Sequence, residues 1–347
     1  VRSKKRKIIS LLDGVLFTAL LFAFATTIFV RSKHKHQESI VNLNKDINLH
    51  FYFYDFDEYK KLELSAKKES IKIALQAMND HFGMKIQSIK ISHKKLPKFI
   101  AKKNFKIAKI AQLAFWQKSV FKANWSDWLE GKNKELPILV SNFPLSFNPN
   151  NDSHIINETR HLAPHKLISG LAHPTFILVS AYRLLNPSGA KHDFEISNSQ
   201  DQARFLGEYI IAHELGHSLL GLKDYIIESS GQGRKLASLT KSSLSESNSC
   251  LMHTDEKGGT EAWLQIKNRR LGHRAGCNEY HEQISYYQQR KNIFKEFKIG
   301  NKSQAVKAFE ELLSKAKYNV SEMHYRKWQH EAKKMKLHNS IFNLNIF

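Results

Sequence analysis

The stretch SQDQARFLGEYIIAHELGHSLLGLKD, residues 199–224, decides how the rest of the chain is read. Ser199 followed by Gln202 is a capping-box pattern, and Ala203, Leu206, Ile210 and Leu219 recur as on one amphipathic face, which predicts a helix running to Leu220. On that helix His213 and His217, four residues apart, project from the same side about one turn from each other, with Glu214 beside them. Two imidazoles so placed reach one metal ion. Neutral imidazole suits zinc (Zn2+), and a catalytic zinc takes three protein ligands while leaving a position to water. Zinc lowers the pKa of that water towards ~7; Glu214 is the candidate general base that takes its proton and later delivers one to a leaving amine.

In a chain this rich in His and Glu the pentamer His213 to His217 has chance odds of roughly one in twenty, so alone it is suggestive and its surroundings carry weight. Gly221 follows the helix directly, where a left-handed residue stops it and turns the chain back. Asp224 comes three residues later and is the candidate third ligand; its carboxylate would make a two-histidine site neutral rather than dipositive. Its alternative reading is a solvated turn residue.

The residues His213-Glu214-Leu215-Gly216-His217-Ser218-Leu219-Leu220-Gly221-Leu222-Lys223-Asp224 resemble the metzincin zinc endopeptidases, whose motif is His-Glu-x-x-His-x-x-Gly-x-x-His or Asp. This chain has one extra residue before the glycine, as some metzincin-like proteins with Asp do. Downstream, Ser249-Cys250-Leu251-Met252-His253 looks like the family's methionine turn, with Met252 as the apolar floor of the metal site. Thr254 stands where many members carry a tyrosine, so no stabilising phenol is assigned. His253, His273 and His281 are reserve ligands. The resemblance covers about 40 residues, from His213 to His253. It implies an α+β fold, a twisted mixed β-sheet with a long active-site helix, and a strand near Phe176 to Tyr182 bordering the cleft. A peptide would pair with that strand as an added one.

Outward from the motif, Ile47 to Asp55 reads as a strand, Ser65 to Phe82 as a helix ending near Gly83, and Lys85 to Ser92 as a strand. Phe105 to Leu129 reads as a helix whose Trp116, Trp125 and Trp128 are packing residues. Leu136 to Phe143 and Thr175 to Leu185 are two more strands, and the loop Phe147 to His173 holds His154, His161, His165 and His173, read as solvated. Beyond Gln283 the pattern is helical. The expected organisation is an anchor or signal segment over 1–30, a linker over 31–46, a catalytic domain over 47–282 and a helical extension over 283–347.

Ile8 to Val30 is mostly apolar and, as a helix, would extend about 34 Å, enough to cross a bilayer. The cations Arg2, Lys4, Lys5, Arg6 and Lys7 before it favour an N-terminus inside and the body outside. The expectation is a single-pass anchor with an extracytoplasmic catalytic domain; Ala23-Phe24-Ala25 supports the alternative of a cleaved signal and a secreted body. In an exported body Cys250 and Cys277 are candidates for one disulfide, with two buried thiols as the other reading.

The net charge of +22 over 347 residues, with 54 Lys and Arg against 32 Asp and Glu, reads as generic surface charge or as attraction to an anionic envelope polymer. No nucleic-acid motif accompanies it. An apolar content of 41% excludes a wholly disordered chain. The leading function is thus a membrane-attached zinc endopeptidase acting on proteins or peptides. The alternatives are a zinc hydrolase of envelope glycopeptide and a non-catalytic binding protein for anionic partners.

Overall fold

A computed structural model describes Thr27 and residues 47–55, 57, 59–86, 88–92, 108–109, 125–133, 135–142, 145–146, 167–185, 199–222, 225–227, 251–255 and 280–343. The chain is mixed α/β, built on a five-stranded mixed sheet. Its strands are β1 (Asn48–Tyr54), β2 (Ile89–Ser92), β4 (Glu135–Ser141), β7 (Gly170–His173) and β8 (Phe176–Ser180), in the order β2-β1-β4-β8-β7. Four run parallel, and β7 joins antiparallel as an edge through the two-residue turn Pro174-Thr175. Short strands lie apart from this sheet: β3 (Ala108–Lys109) pairs with β5 (Leu145–Ser146), which pairs with β6 (Leu167–Ile168). Another pair joins β9 (Tyr225–Ile227) to β10 (His253–Asp255).

Adjacent parallel strands need a crossover, and helix α1 (Leu64–Phe82) supplies it between β1 and β2. Gly83, at φ 63°, ends α1 in the left-handed conformation, at the position where the sequence predicts the helix to stop. Alternation along the strands then sorts the two faces. Leu49, Phe51, Phe53, Ile138, Val140, Ile177 and Val179 form one core with Ile71, Ala74 and Met78 of α1. On the opposite face His50 bonds Ser92 Oγ at 2.7 Å and Glu135 at 3.0 Å, tying β1, β2 and β4 through side chains.

The helix predicted at the motif, α4, runs from Ser199–Arg204 to Gly216–Leu220 without a break, and Leu206, Ile210 and Leu215 insert into the same core. Two parts of it, Phe205–Ile211 and Gly216–Leu220, are π-helical, a widened form that recurs at functional sites. Gly207 lets α4 press onto α1: a Cβ there would stand 2.2 Å from the Ser70 carbonyl oxygen. Ser199 lies inside the first turn, so it is not the residue preceding the helix that a capping box needs.

Three helices follow, α5 (His281–Ile299), α6 (Lys302–Ala316) and α7 (Glu322–Asn343), and they pack a core of their own around Phe294, Phe309, Trp328 and Met335. Arg290 and Glu331 form a buried two-bond pair inside it, at 2.7 and 2.6 Å. Tyr280 and Ile284, at the start of α5, belong instead to the core under the sheet.

Several sequence expectations change. Ala108–Lys109 is strand, and only α2 (Trp125–Leu129) of the helix expected over Phe105 to Leu129 is helical among the described residues. Trp128 is buried as expected of packing; Trp116 lies outside the described residues. The strand expected to reach Leu185 stops at Ser180, and Tyr182–Leu185 forms the short helix α3. β6 and β7 occupy the end of the expected loop from Phe147 to His173. No helix among the described residues is long and apolar enough to cross a membrane; the Ile8 to Val30 segment, apart from Thr27, lies outside them.

Candidate metal centre

Gly221, at φ 68°, closes α4 in the left-handed region that glycine enters at little cost. Its N–H bonds the His217 carbonyl at 3.0 Å and the Leu222 N–H bonds the Gly216 carbonyl at 3.3 Å, so the chain folds back over the last turn. This reversal sets the Leu222 carbonyl against His217, whose Nδ1–H donates to it at 2.6 Å. His213 Nδ1–H donates likewise to the Leu251 carbonyl at 2.6 Å. A carbonyl oxygen only accepts, so both rings carry their proton on Nδ1 and both present the Nε2 lone pair.

The two Nε2 atoms stand 3.1 Å apart, with the rings at 84° to each other. Two lone pairs that close repel unless a proton or a metal ion lies between them. Two imidazole nitrogens each ~2.1 Å from one zinc ion would be roughly 3.4 Å apart, so the pair fits a shared ion. Second hydrogen bonds from Nδ1 to backbone carbonyls are also what orients histidine ligands and raises their basicity.

Met252 underlies this turn. It is fully buried, and a Cβ added to Gly216, between the two histidines, would stand 2.7 Å from its sulfur. Leu251 and Met252 together thus reach α4 twice, by a carbonyl on His213 and a thioether against Gly216. Glu214 is 8% exposed, while both histidines are half-buried. Its carboxylate lies against Gly170 of β7: a Cβ there would be 2.2 Å from Oε1. One turn on, the Ser218 hydroxyl donates to the His173 carbonyl at 3.1 Å, so β7 runs alongside the histidine-bearing turns and is stitched to them.

β7 is therefore the strand that lies beside the motif turns of α4. The strand that the family resemblance implied for this role, near Phe176 to Tyr182, is β8, which sits inside the sheet between β4 and β7. His173 is likewise no solvated loop residue. Its ring stacks on Phe176 at 5.1 Å and bonds the Thr175 hydroxyl at 2.7 Å. Burial lowers its pKa to about 4, leaving a neutral ring at ordinary pH.

No protein-family model, curated protein or solved structure matches the chain.

The structure brings His213 and His217 together and sets Met252 against Gly216 between them, while the Glu214 carboxylate lies against Gly170. Asp224, Cys250, Cys277 and His273 lie outside the described residues, as do His154, His161 and His165. Among the described residues no three His, Cys, Asp or Glu side chains converge as a full ligand set. His281 is exposed at the start of α5. The Leu222 and Leu251 carbonyls, which fix both tautomers, carry no side-chain signature and escape any sequence pattern. Gly170 escaped too, because its stretch reads as loop and only the fold makes it a strand pressed on Glu214.

Proposed function

We propose that the protein is a zinc-dependent endopeptidase of metzincin-like build, in which His213, His217 and Asp224 hold the ion and Glu214 is the general base. The observation that carries this reading is the pair of Nε2 atoms 3.1 Å apart, each on a ring whose proton is pinned to Nδ1 by a carbonyl. Met252 against Gly216 and the mixed sheet flanking a long motif-bearing helix agree with the same resemblance. Asp224 enters the set because both its flanks are held at the centre. Leu222 bonds His217, and Tyr225 pairs with His253, the neighbour of Met252.

Bound zinc supplies Lewis acidity, polarising a scissile carbonyl and lowering the pKa of water towards ~7. Glu214 Oε1, backed by Gly170, accepts the proton of the attacking water and returns it to the leaving nitrogen. The substrate lies extended along the outer edge of β7, its backbone bonding the strand and its side chains giving selectivity. We place this centre on the extracytoplasmic side, attached to the membrane through Ile8 to Val30, on the bias of cations before that segment.

The test compares wild type with Glu214→Gln for zinc content and cleavage of an unfolded protein substrate, with cell-wall fragments assayed in parallel. Retained zinc with cleavage reduced about 100-fold or more supports the assignment. Equal cleavage by the two proteins contradicts it, and hydrolysis confined to wall fragments would replace the substrate class.

A further inference from the structure

We infer that His324, in the C-terminal helices, is a positioning residue for the metal centre, holding the turn that aims His217. The inference deepens the peptidase reading and rests on it for its metal arm alone.

The last carbonyls of any helix lack partners within it, and inside a protein they need donors from elsewhere. At the end of α4 the carbonyl of Ser218, itself 3% exposed, takes its donor from His324, whose Nε2–H reaches it at 3.0 Å. With the proton thus on Nε2, His324 Nδ1 accepts from the Ser321 hydroxyl at 2.9 Å. Ser321 stands just before α7, and its own N–H donates to the Gly221 carbonyl at 3.0 Å. Two donors from the start of α7 thereby grip the carbonyls of Ser218 and Gly221. Between those residues runs the reversal that sets the Leu222 carbonyl on His217 Nδ1.

Shape reinforces the bonds. The His324 ring fills the space that Gly221 leaves, since a Cβ there would be 2.6 Å from Cγ of the ring. Trp128 also packs on this ring, at 82° and 5.4 Å between centroids. Burial, with Lys327 nearby, lowers the His324 pKa to about 3, so the ring donates as a neutral imidazole and adds no charge beside His217.

The experiment uses the full chain with His324→Phe, which keeps an aromatic ring against Trp128 but has no donor, and His324→Gln, which loses the ring but keeps an N–H at similar reach. Amide hydrogen exchange at Gly221 and Leu222 is read on the metal-free proteins, and the zinc dissociation constant is read by chelator competition. His324→Phe is expected to speed exchange and weaken zinc by about tenfold each, and His324→Gln to restore both. A role in packing alone gives the reverse order, with Phe close to wild type and Gln impaired, and that order overturns the inference. Unchanged values in both variants overturn it equally. Should His324→Phe not fold, Ser321→Ala decides, with about a threefold change in the same direction expected and no change contradicting the inference. A wild-type chain that takes up no zinc defeats the peptidase reading alone, because the exchange arm is read without metal.

Discussion

A histidine that donates through Nδ1 offers Nε2 and nothing else, so in the proposed centre the Leu222 and Leu251 carbonyls would aim the imidazoles they touch. Two glycines fix what lies around them. Gly216 admits the Met252 sulfur beneath the histidines, and a methyl group there would stand 2.7 Å from it. Gly216→Ala is therefore expected to cost about 1–3 kcal/mol in chemical denaturation, and Met252→Ala in the same chain to recover part of that loss. Simple additivity of the two changes would mean that they do not touch. Gly170→Ala meets the Glu214 carboxylate at 2.2 Å, and the side chain has to swing aside. Since a misplacement of about 1 Å at a catalytic group costs roughly 100-fold in rate, that variant should fold, bind zinc normally and lose about 100-fold in kcat. Normal kcat would show that the carboxylate is not the base. The side chains of this site were legible from the spacing of His213, Glu214 and His217 on one helix; their acceptors were not, because a backbone carbonyl looks the same at every position.

At the scale of elements, the long helix α4 serves two purposes: one side fills the core with Leu206, Ile210 and Leu215, and the last turns carry the histidines. Its seat on α1 depends on Gly207, where a Cβ would approach the Ser70 carbonyl to 2.2 Å. Backbone cannot yield as a side-chain tip can, so Gly207→Ala is expected to cost about 2 kcal/mol or more and to lower the melting temperature by several degrees. An unchanged melting temperature would show that the helices are free to separate. The strand β1 was readable from its aromatics, β2 from the alternation of Ile86, Ile89 and Ile91, and β8 from the apolar run Phe176 to Val179. β7 was not: Gly170-Leu171-Ala172-His173 has neither the length nor the alternation of a strand, and only pairing with β8 makes it one. Of the helix expected from Phe105 to Leu129, the described residues are helical at Trp125–Leu129 but strand at Ala108–Lys109, which finds a partner in β5.

Across the whole molecule, the C-terminal helices join the sheet-bearing part of the chain through α2 as well as through Ser321 and His324. Glu130, following α2, pairs with Lys334 and bonds His330 at 3.0 Å, and the Lys327 ammonium lies 4.4 Å over the Trp128 ring. Burial pushes the Lys327 pKa down from 10.5 to about 8, Glu331 opposing and Arg290 assisting. Between pH 8 and 10.5 the unfolded chain then holds a proton at this lysine that the folded chain lacks, so its cost to stability is full below pH 8 and fades as pH rises. Lys327→Met, which has no such cost, should compare more favourably with wild type in melting temperature at pH 7 than at pH 10. A gap independent of pH would contradict this. The helical character of this region was plain from its periodicity, whereas its bond to the motif helix joins residues 106 positions apart and no local pattern announces such a contact.

The shared ion itself is the claim on which the function turns, and anomalous X-ray scattering at the zinc edge from crystals of the zinc-loaded protein tests it most directly. One strong peak is expected about 2.1 Å from both His213 Nε2 and His217 Nε2, with Asp224 at a third vertex. A folded protein with no peak between those two nitrogens, or with zinc bound elsewhere and the rings turned apart, would contradict it.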